Sequence, residues 1–326
     1  ENTVKNAQNQ DIPKYTALAN AVETFINSLK ADSDTTGTDH KVSIISFNSS
    51  VNIRYGLTSV KNGGANTLIN AVKNGMKRTN TSGTWLNYYT RSDLGLQYVY
   101  SQNNSPVKSM SANSAKVVIL FTDGSPSQKS QNFEEDIAKQ AIDASYQIKN
   151  YTSGGNAYGI KVYTVGIVDN PSNNQNKYMN MVSSNHNLQS SSYASNTDTT
   201  PHGYYSNVTD ANGLDDVFKK IADDNIPLPA TVVATDILTN EFSLPVGATG
   251  SDIKLKQVAF VSTPDVTDKS KYVFSTTEED APNTVTATVN NKTITVKGYD
   301  FSSNWCGYIT SGTTNTPHGY KLLIKI

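Results

Sequence analysis

The apolar positions along this chain change their period once, and the change divides it. Over residues 14–30, Ala17, Leu18, Ala21, Val22, Phe25, Ile26 and Leu29 recur at helical spacing and predict an amphipathic helix. Lys41–Phe47 and Val51–Leu57 read as strands, and the Asn-Ser-Ser turn between them predicts a hairpin. Thr67–Met76 and Asp93–Gln102 are expected to be short helices. Val117 to Phe121 then run apolar without a break and stop at Thr122, Asp123 and Gly124. Such a run predicts a parallel-sheet strand buried on both faces. A helix over 134–150, a strand over Lys161–Val168, a short strand over Tyr204–Val208 and a helix over 213–223 complete the alternation. Between Val168 and Tyr204 lies a polar stretch too long for a plain connection, and so either functional or loosely ordered. Residues 1–13 are polar and predict no strand.

Pro227-Leu228-Pro229 cannot continue the last helix. Beyond it the period is two, with strands expected at Thr231–Leu238, Ile253–Val261, Tyr272–Ser275, Thr284–Val289, Thr293–Phe301 and Tyr320–Ile326. Asn290-Asn291 sits where a tight hairpin turn needs residues that tolerate positive φ. The expected architecture is an α/β domain over 1–226 and an all-β sandwich over 227–326.

Composition narrows the function classes. The 326 residues carry 27 Lys and Arg against 28 Asp and Glu, a net charge of −1. Bulk charge therefore favours neither nucleic acid nor an anionic membrane. No apolar stretch approaches the ~18 residues of a membrane span. Cys306 is the only cysteine, which excludes an internal disulfide and a CxxC metal site. A chain rich in Asn, Ser, Thr and Tyr, with 17% charged residues, suits an extracellular surface protein.

Asp123 is the first candidate for chemistry. It lies at the carboxyl end of a predicted strand, where open α/β sheets place ligand sites. A carboxylate and hydroxyls there suit a hard cation such as Mg²⁺, although turn chemistry alone also accounts for Asp and Gly after a strand. Trp85, Tyr88, Tyr89 and Ser92 lie in or beside a polar Thr/Ser/Asn-rich loop. They are candidate ligand contacts, or residues that pack the loop down. His40, His186, His202 and His318 show no zinc-ligand spacing. Ser125 does not fit a nucleophile elbow, and Glu134, Glu135 and Asp136 suit a helix N-terminus. No catalytic constellation emerges, and the chain is read as a non-enzyme.

Four segments in order carry a family resemblance. They are the helix KYTALANAVETFINSL with the hairpin KVSIISFNSSVNIRYGLT, the Thr90-x-Ser92-Asp93-x-Gly95-Leu96 segment, VVILFTDGSPS, and KVYTVGIV with the ending YYSNVTDANGLDDVFKKIA. Together they resemble a von Willebrand factor A domain over residues 1–225. The resemblance implies a doubly wound, Rossmann-like sheet with a metal-ion-dependent adhesion site on its carboxyl rim. It places a Thr ligand at Thr90 and an Asp ligand at Asp123. The family's DxSxS motif and its first strand have no counterpart upstream of the first helix. The expectation is that the parent protein carries both before Glu1, and that an ordered metal in this chain by itself is absent or weak. In the intact parent the resemblance implies Mg²⁺, with Ca²⁺ and Mn²⁺ as alternatives.

The second part, with VVATDILTNEFSLP, KGYDFSSNW and GYKLLIKI, is similar to immunoglobulin-like modules of Gram-positive adhesins and pilins. Some such modules form Lys–Asn isopeptide bonds, for which Asp236, Lys254, Lys256 and Asn304 are available, but solvated lysines are the favoured reading. The implied function is adhesion at the surface of a Gram-positive cell wall or pilus. The partner would be a host matrix or cell-surface protein, with other pilins as further partners and no nucleic acid. The alternative is a structural pilus or stalk segment without a ligand.

Overall fold

The computed structural model describes residues 3–75, 89–101, 105–110, 114–130, 132–226, 234–237, 244–264, 269–301, 303–311 and 314–326. The chain divides into two compact units, Glu1–Ile226 and Pro227–Ile326. The Pro227-Leu228-Pro229 segment lies outside the described residues. Among the described residues no helix is long and apolar enough to cross a membrane.

The first unit opens with a small antiparallel pair, β1 (Thr3–Lys5) and β2 (Asp11–Pro13). The polar composition of residues 1–13 hid it. Its anchors are Val4 of β1, buried in the core, and Ile12 of β2, half-buried against the same cluster. Helix α1 (Lys14–Thr36) follows and ends at Gly37, whose φ of 78° is the left-handed conformation of a C-cap. The hairpin β3 (Lys41–Phe47) and β4 (Val51–Ser59) pairs antiparallel. Then come α2 (Gly64–Gly75), α3 (Ser92–Ser101), β5 (Val117–Thr122) and α4 (Glu135–Lys149). A two-residue pair, β6 (Thr152–Ser153) and β7 (Asn156–Ala157), leads into β8 (Lys161–Gly166), α5 (Asn173–Val182), β9 (Tyr205–Asn207) and α6 (Ala211–Asn225).

Strands β5, β8 and β9 form a parallel sheet in that order. Alternate residues face opposite helical layers, as the pleat requires. Val117, Ile119 and Phe121 of β5 and Tyr163 and Val165 of β8 pack with α1 and α6. Val118, Leu120 and Val162 pack with α3, α4 and α5. Helix α1 also reaches the hairpin, since Ala19 and Ile26 share a cluster with Ile44 of β3 and Leu68 and Val72 of α2. On the other side, Ile45 and Phe47 of β3 pack with the α3–α4 layer. The same helices therefore cover both sheet pieces, yet no strand joins β3 to β5 among the described residues. Hence β5 is less enclosed than its sequence predicts. Leu120 and Thr122 are buried, while Val117, Val118, Ile119 and Phe121 are half-buried along an unpaired edge.

The polar stretch after β8 is ordered by hydrogen bonds rather than by apolar burial alone. Ser172 and Gln175 form a reciprocal capping box at the start of α5. His186 Nε2 lies 2.6 Å from Asp198 Oδ2, and Asn180 Nδ2 donates to Asp198 Oδ1 and to the Thr200 carbonyl. At the other end of α5, the Lys149 ammonium donates to the carbonyls of Met181, Val182, Ser183 and His186 at 3.1, 3.3, 2.9 and 2.6 Å. It thus supplies donors where a helix end leaves carbonyls unsatisfied. Burial pulls the Lys149 amine down to about 7. Lys149→Met is expected to cost about 2 kcal/mol, because buried carbonyls lose their donor. Between about 7 and the ordinary 10.5 the unfolded chain holds more protons at this position than the folded one. Wild-type stability should therefore rise with pH across that window relative to Lys149→Met. Urea unfolding of both proteins from neutral to alkaline pH checks the cost and the slope.

The second unit holds two three-stranded antiparallel sheets. One has the order β10 (Ala234–Ile237), β14 (Thr293–Lys297), β13 (Thr286–Asn290), and the other β12 (Val273–Asp280), β11 (Lys254–Ser262), β17 (Tyr320–Lys325). Ile294 and Val296 of the first sheet share a core with Leu255, Leu322 and Ile324 of the second. Asn291 adopts a φ of 53° in the β13–β14 turn. A further hairpin, β15 (Gly307–Ser311) with β16 (Thr314–His318), was not predicted, because its sequence does not alternate clearly. Lys256 Nζ pairs with Asp280 and Asn304 Nδ2 donates to the Asp300 carbonyl, so these two isopeptide candidates are engaged elsewhere.

Candidate functional site

Strand β5 ends at Thr122, and the chain reverses there. The Gly124 N–H donates to Thr122 Oγ1, and Thr122 Oγ1 donates to the Gly124 carbonyl. This local turn leaves Asp123 exposed on the carboxyl rim of the parallel sheet. Thr90 reaches the same point from the segment before α3. A Cβ built on Gly124 would lie 3.1 Å from Thr90 Oγ1, so the Thr90 hydroxyl sits against the residue that follows Asp123. Neither the Asp123 carboxylate nor the Thr90 hydroxyl has a hydrogen-bonding partner among the described residues. Two hard oxygen donors of the kind a Mg²⁺ or Ca²⁺ ion accepts are thus carried by this rim, the Thr90 hydroxyl against Gly124 and the carboxylate on the residue before it. They are fewer than an octahedron needs, and no group of three or more His, Cys, Asp or Glu suited to a metal occurs among the described residues.

Thr90 is held from both sides. Its N–H donates to Ser127 Oγ at 3.2 Å, and the Ser127 N–H donates to the Thr90 carbonyl at 3.1 Å. The next residue, Arg91, donates its N–H to the Asn48 carbonyl at the end of β3. The Arg91 guanidinium grips Asp93 in a bidentate pair at 2.9 and 2.7 Å. Asp93 is fully buried and Arg91 only 14% exposed. Asp93 and its hydrogen bonds raise the Arg91 pKa against the pull of burial.

The loop after Asp123 is closed by Glu134. Its Oε1 accepts the N–H groups of Lys129 at 2.7 Å and Ser130 at 2.9 Å, and the Lys129 bond leads in holding this carboxyl below its usual range. Glu134 therefore shapes the rim loop as well as standing at the start of α4. Residues 123–127 also have D-x-S-x-S spacing. Here the third member, Ser127, is 2% exposed and its hydroxyl is taken by Thr90, so it serves to position a neighbour.

The ligand-contact candidates separate. Trp85 and Tyr88 lie outside the described residues. Tyr89 is half-buried, with its N–H on Ser49 Oγ at 3.4 Å. Ser92 is corrected: it is fully buried, its hydroxyl 2.7 Å from Tyr178 Oη, so it pins α3 to α5 and cannot meet a ligand. Sequence reasoning missed Ser127, Arg91 and Asp93. The one available signal was the pairing of an acid and a base in a segment about to enter the core.

The von Willebrand factor type A domain family matches the chain over residues 9–220. Among solved structures, the crystal structure of the pilus adhesin SpaC from Lactobacillus rhamnosus GG is similar at 12% identity and a TM-score of 0.41. That match covers 86% of this chain and 35% of SpaC, so the chain spans about a third of that protein's length. No curated protein matches the chain.

Proposed function

We propose, from the premise that this chain belongs to the von Willebrand factor type A family, that it is a bacterial surface adhesin. It would bind a host matrix or cell-surface protein through a divalent metal on the rim. The single observation that carries this reading is that the Thr90 hydroxyl lies against Gly124, the residue after Asp123, with neither donor bonded among the described residues. When bound, the metal would supply an electrophilic centre for a ligand carboxylate. Thr90 and Asp123 would hold it, Ser127 and the Arg91–Asp93 pair would fix Thr90, and Glu134 would keep the Asp123 loop closed. Mg²⁺ is the first choice, with Ca²⁺ and Mn²⁺ behind it. The edges of β3 and β5, which have no further partner strand among the described residues, are where a strand bearing the family's DxSxS donors would run.

The reading is non-enzymatic and extracellular, at a Gram-positive cell wall or pilus, with the second unit as an immunoglobulin-like spacer. The test is binding of the parent protein to an array of matrix proteins, with and without EDTA. Binding that EDTA abolishes and Mg²⁺ restores is the expected result. Binding indifferent to EDTA, or none to any component, would leave the structural stalk as the better account.

A further inference from the structure

We infer that the outer edge of β4 and the adjoining face of α2 form a second docking site, one that takes an extended acidic peptide segment of a partner protein. This goes beyond the rim reading and needs no metal. Among the described residues β4 pairs only with β3, so its outer edge carries no strand ladder, although hydroxyls of Ser46, Ser43 and Thr58 donate to the carbonyls of Asn52, Tyr55 and Gly56. Residues 52–56 are all exposed, and they include two large apolar side chains, Ile53 at 47% and Tyr55 at 38%.

The register of the hairpin explains the shape of this edge. Ile44 faces Tyr55 and Ile45 faces Ile53, so Arg54 is an extra residue without an opposite number. A bulge of this kind re-aims a side chain. Arg54 and Tyr55 consequently both line an open groove of about 510 Å³, whose other wall is Thr67, Asn70, Ala71 and Asn74 of α2. Those four are spaced i, i+3, i+4 and i+7, one face of a helix.

The groove's chemistry selects its occupant. Among the described residues no carboxylate lines it. Arg54 donates Nε to Ser46 Oγ at 2.9 Å, and its guanidinium has no carboxylate partner among the described residues. An acidic side chain meets an unneutralised cation there, while a basic one meets repulsion. A free strand edge beside a helix wall is the geometry of strand addition, in which main-chain bonds give affinity and alternate side chains give specificity. The occupant's backbone pairs with β4, its apolar side chain covers Ile53 or Tyr55, and the Asn70 and Asn74 carboxamides face its polar groups.

The probe is a short fluorescent peptide of alternating valine and glutamate, titrated by anisotropy in EDTA, with a valine–lysine peptide as counterpart. The acidic peptide should bind saturably and more weakly at high salt, and the basic one should not. Arg54→Glu should weaken acidic-peptide binding roughly tenfold and allow some binding of the basic peptide. Asn70→Trp, at an exposed helix position, should block the groove without reversing charge. Circular dichroism verifies that both variants fold. No binding of the acidic peptide to the wild type, or unchanged binding in both variants, would overturn the proposal. Sedimentation showing self-association that Arg54→Glu abolishes would assign the edge to a second copy and overturn the partner assignment. Peptide binding that survives while Mg²⁺-dependent adhesion fails would count against the rim reading only.

Discussion

Asp93→Ala is expected to destabilise the first unit by about 3 kcal/mol, since removing one member of a buried ion pair leaves the other charge without its partner. The effect belongs at the lower end of the range for such pairs. Arg91 keeps a small exposed fraction and can turn its guanidinium partly to water. Asp93→Asn should lose nearly as much, because a carboxamide fills the space but cannot neutralise a guanidinium through two parallel bonds. Urea unfolding measures both, and an unchanged m-value would place the effect in the native state. A loss below about 1 kcal/mol would show the pair to be a surface-type bridge. A double variant with apolar residues at 91 and 93 should recover part of the loss, as buried pairs replaced by packed hydrophobes often do. It should not recover the rim, because the segment carrying Thr90 would lose its clamp.

That contrast marks how far the sequence could be read. The helical faces of α1, α4 and α6 were legible because one period dominates each of them, and the run at Val117–Phe121 was legible as a strand but not in its degree of burial. The exposed position of Asp123 after β5 was legible because a carboxylate at the end of an apolar run has few places to go. Helix α5 was not. Its segment NNQNKYMNMV is polar at first sight, and it is fixed by the Ser172–Gln175 capping box, by buried Tyr178 and Met181, and by Lys149 from another helix. The β1–β2 pair rests on two apolar residues, buried Val4 and half-buried Ile12. The role of Ser127 is likewise a matter of tertiary contact. Its spacing from Asp123 suggests a metal motif, and only the fold shows that its hydroxyl is committed to Thr90. What the sequence hides is the hydrogen bond made across a long separation, since composition and period carry no information about it.

Asp123→Ala in the protein that shows Mg²⁺-dependent binding should abolish that binding and leave stability within about 0.5 kcal/mol of wild type. The two halves of the expectation rest on the same geometry. Asp123 is exposed and unpartnered among the described residues, so the core loses nothing when its carboxylate goes. A hard divalent cation loses a charged oxygen donor at the same time, and a small site has no spare ligand to replace it. Thr90→Ala should act in the same direction with a smaller loss, because a neutral hydroxyl contributes less to cation binding than a carboxylate. The Thr90 main chain would remain pinned to Ser127 in that variant, since both of those bonds are made by backbone atoms of Thr90. Any loss would therefore report the hydroxyl itself and not a collapsed loop. Isothermal titration with Mg²⁺ and Mn²⁺, run beside thermal unfolding, separates metal affinity from stability. Full Mg²⁺-dependent binding in Asp123→Ala would remove the rim from the account of adhesion, and a Thr90→Ala variant more damaging than Asp123→Ala would reverse the order of the two donors.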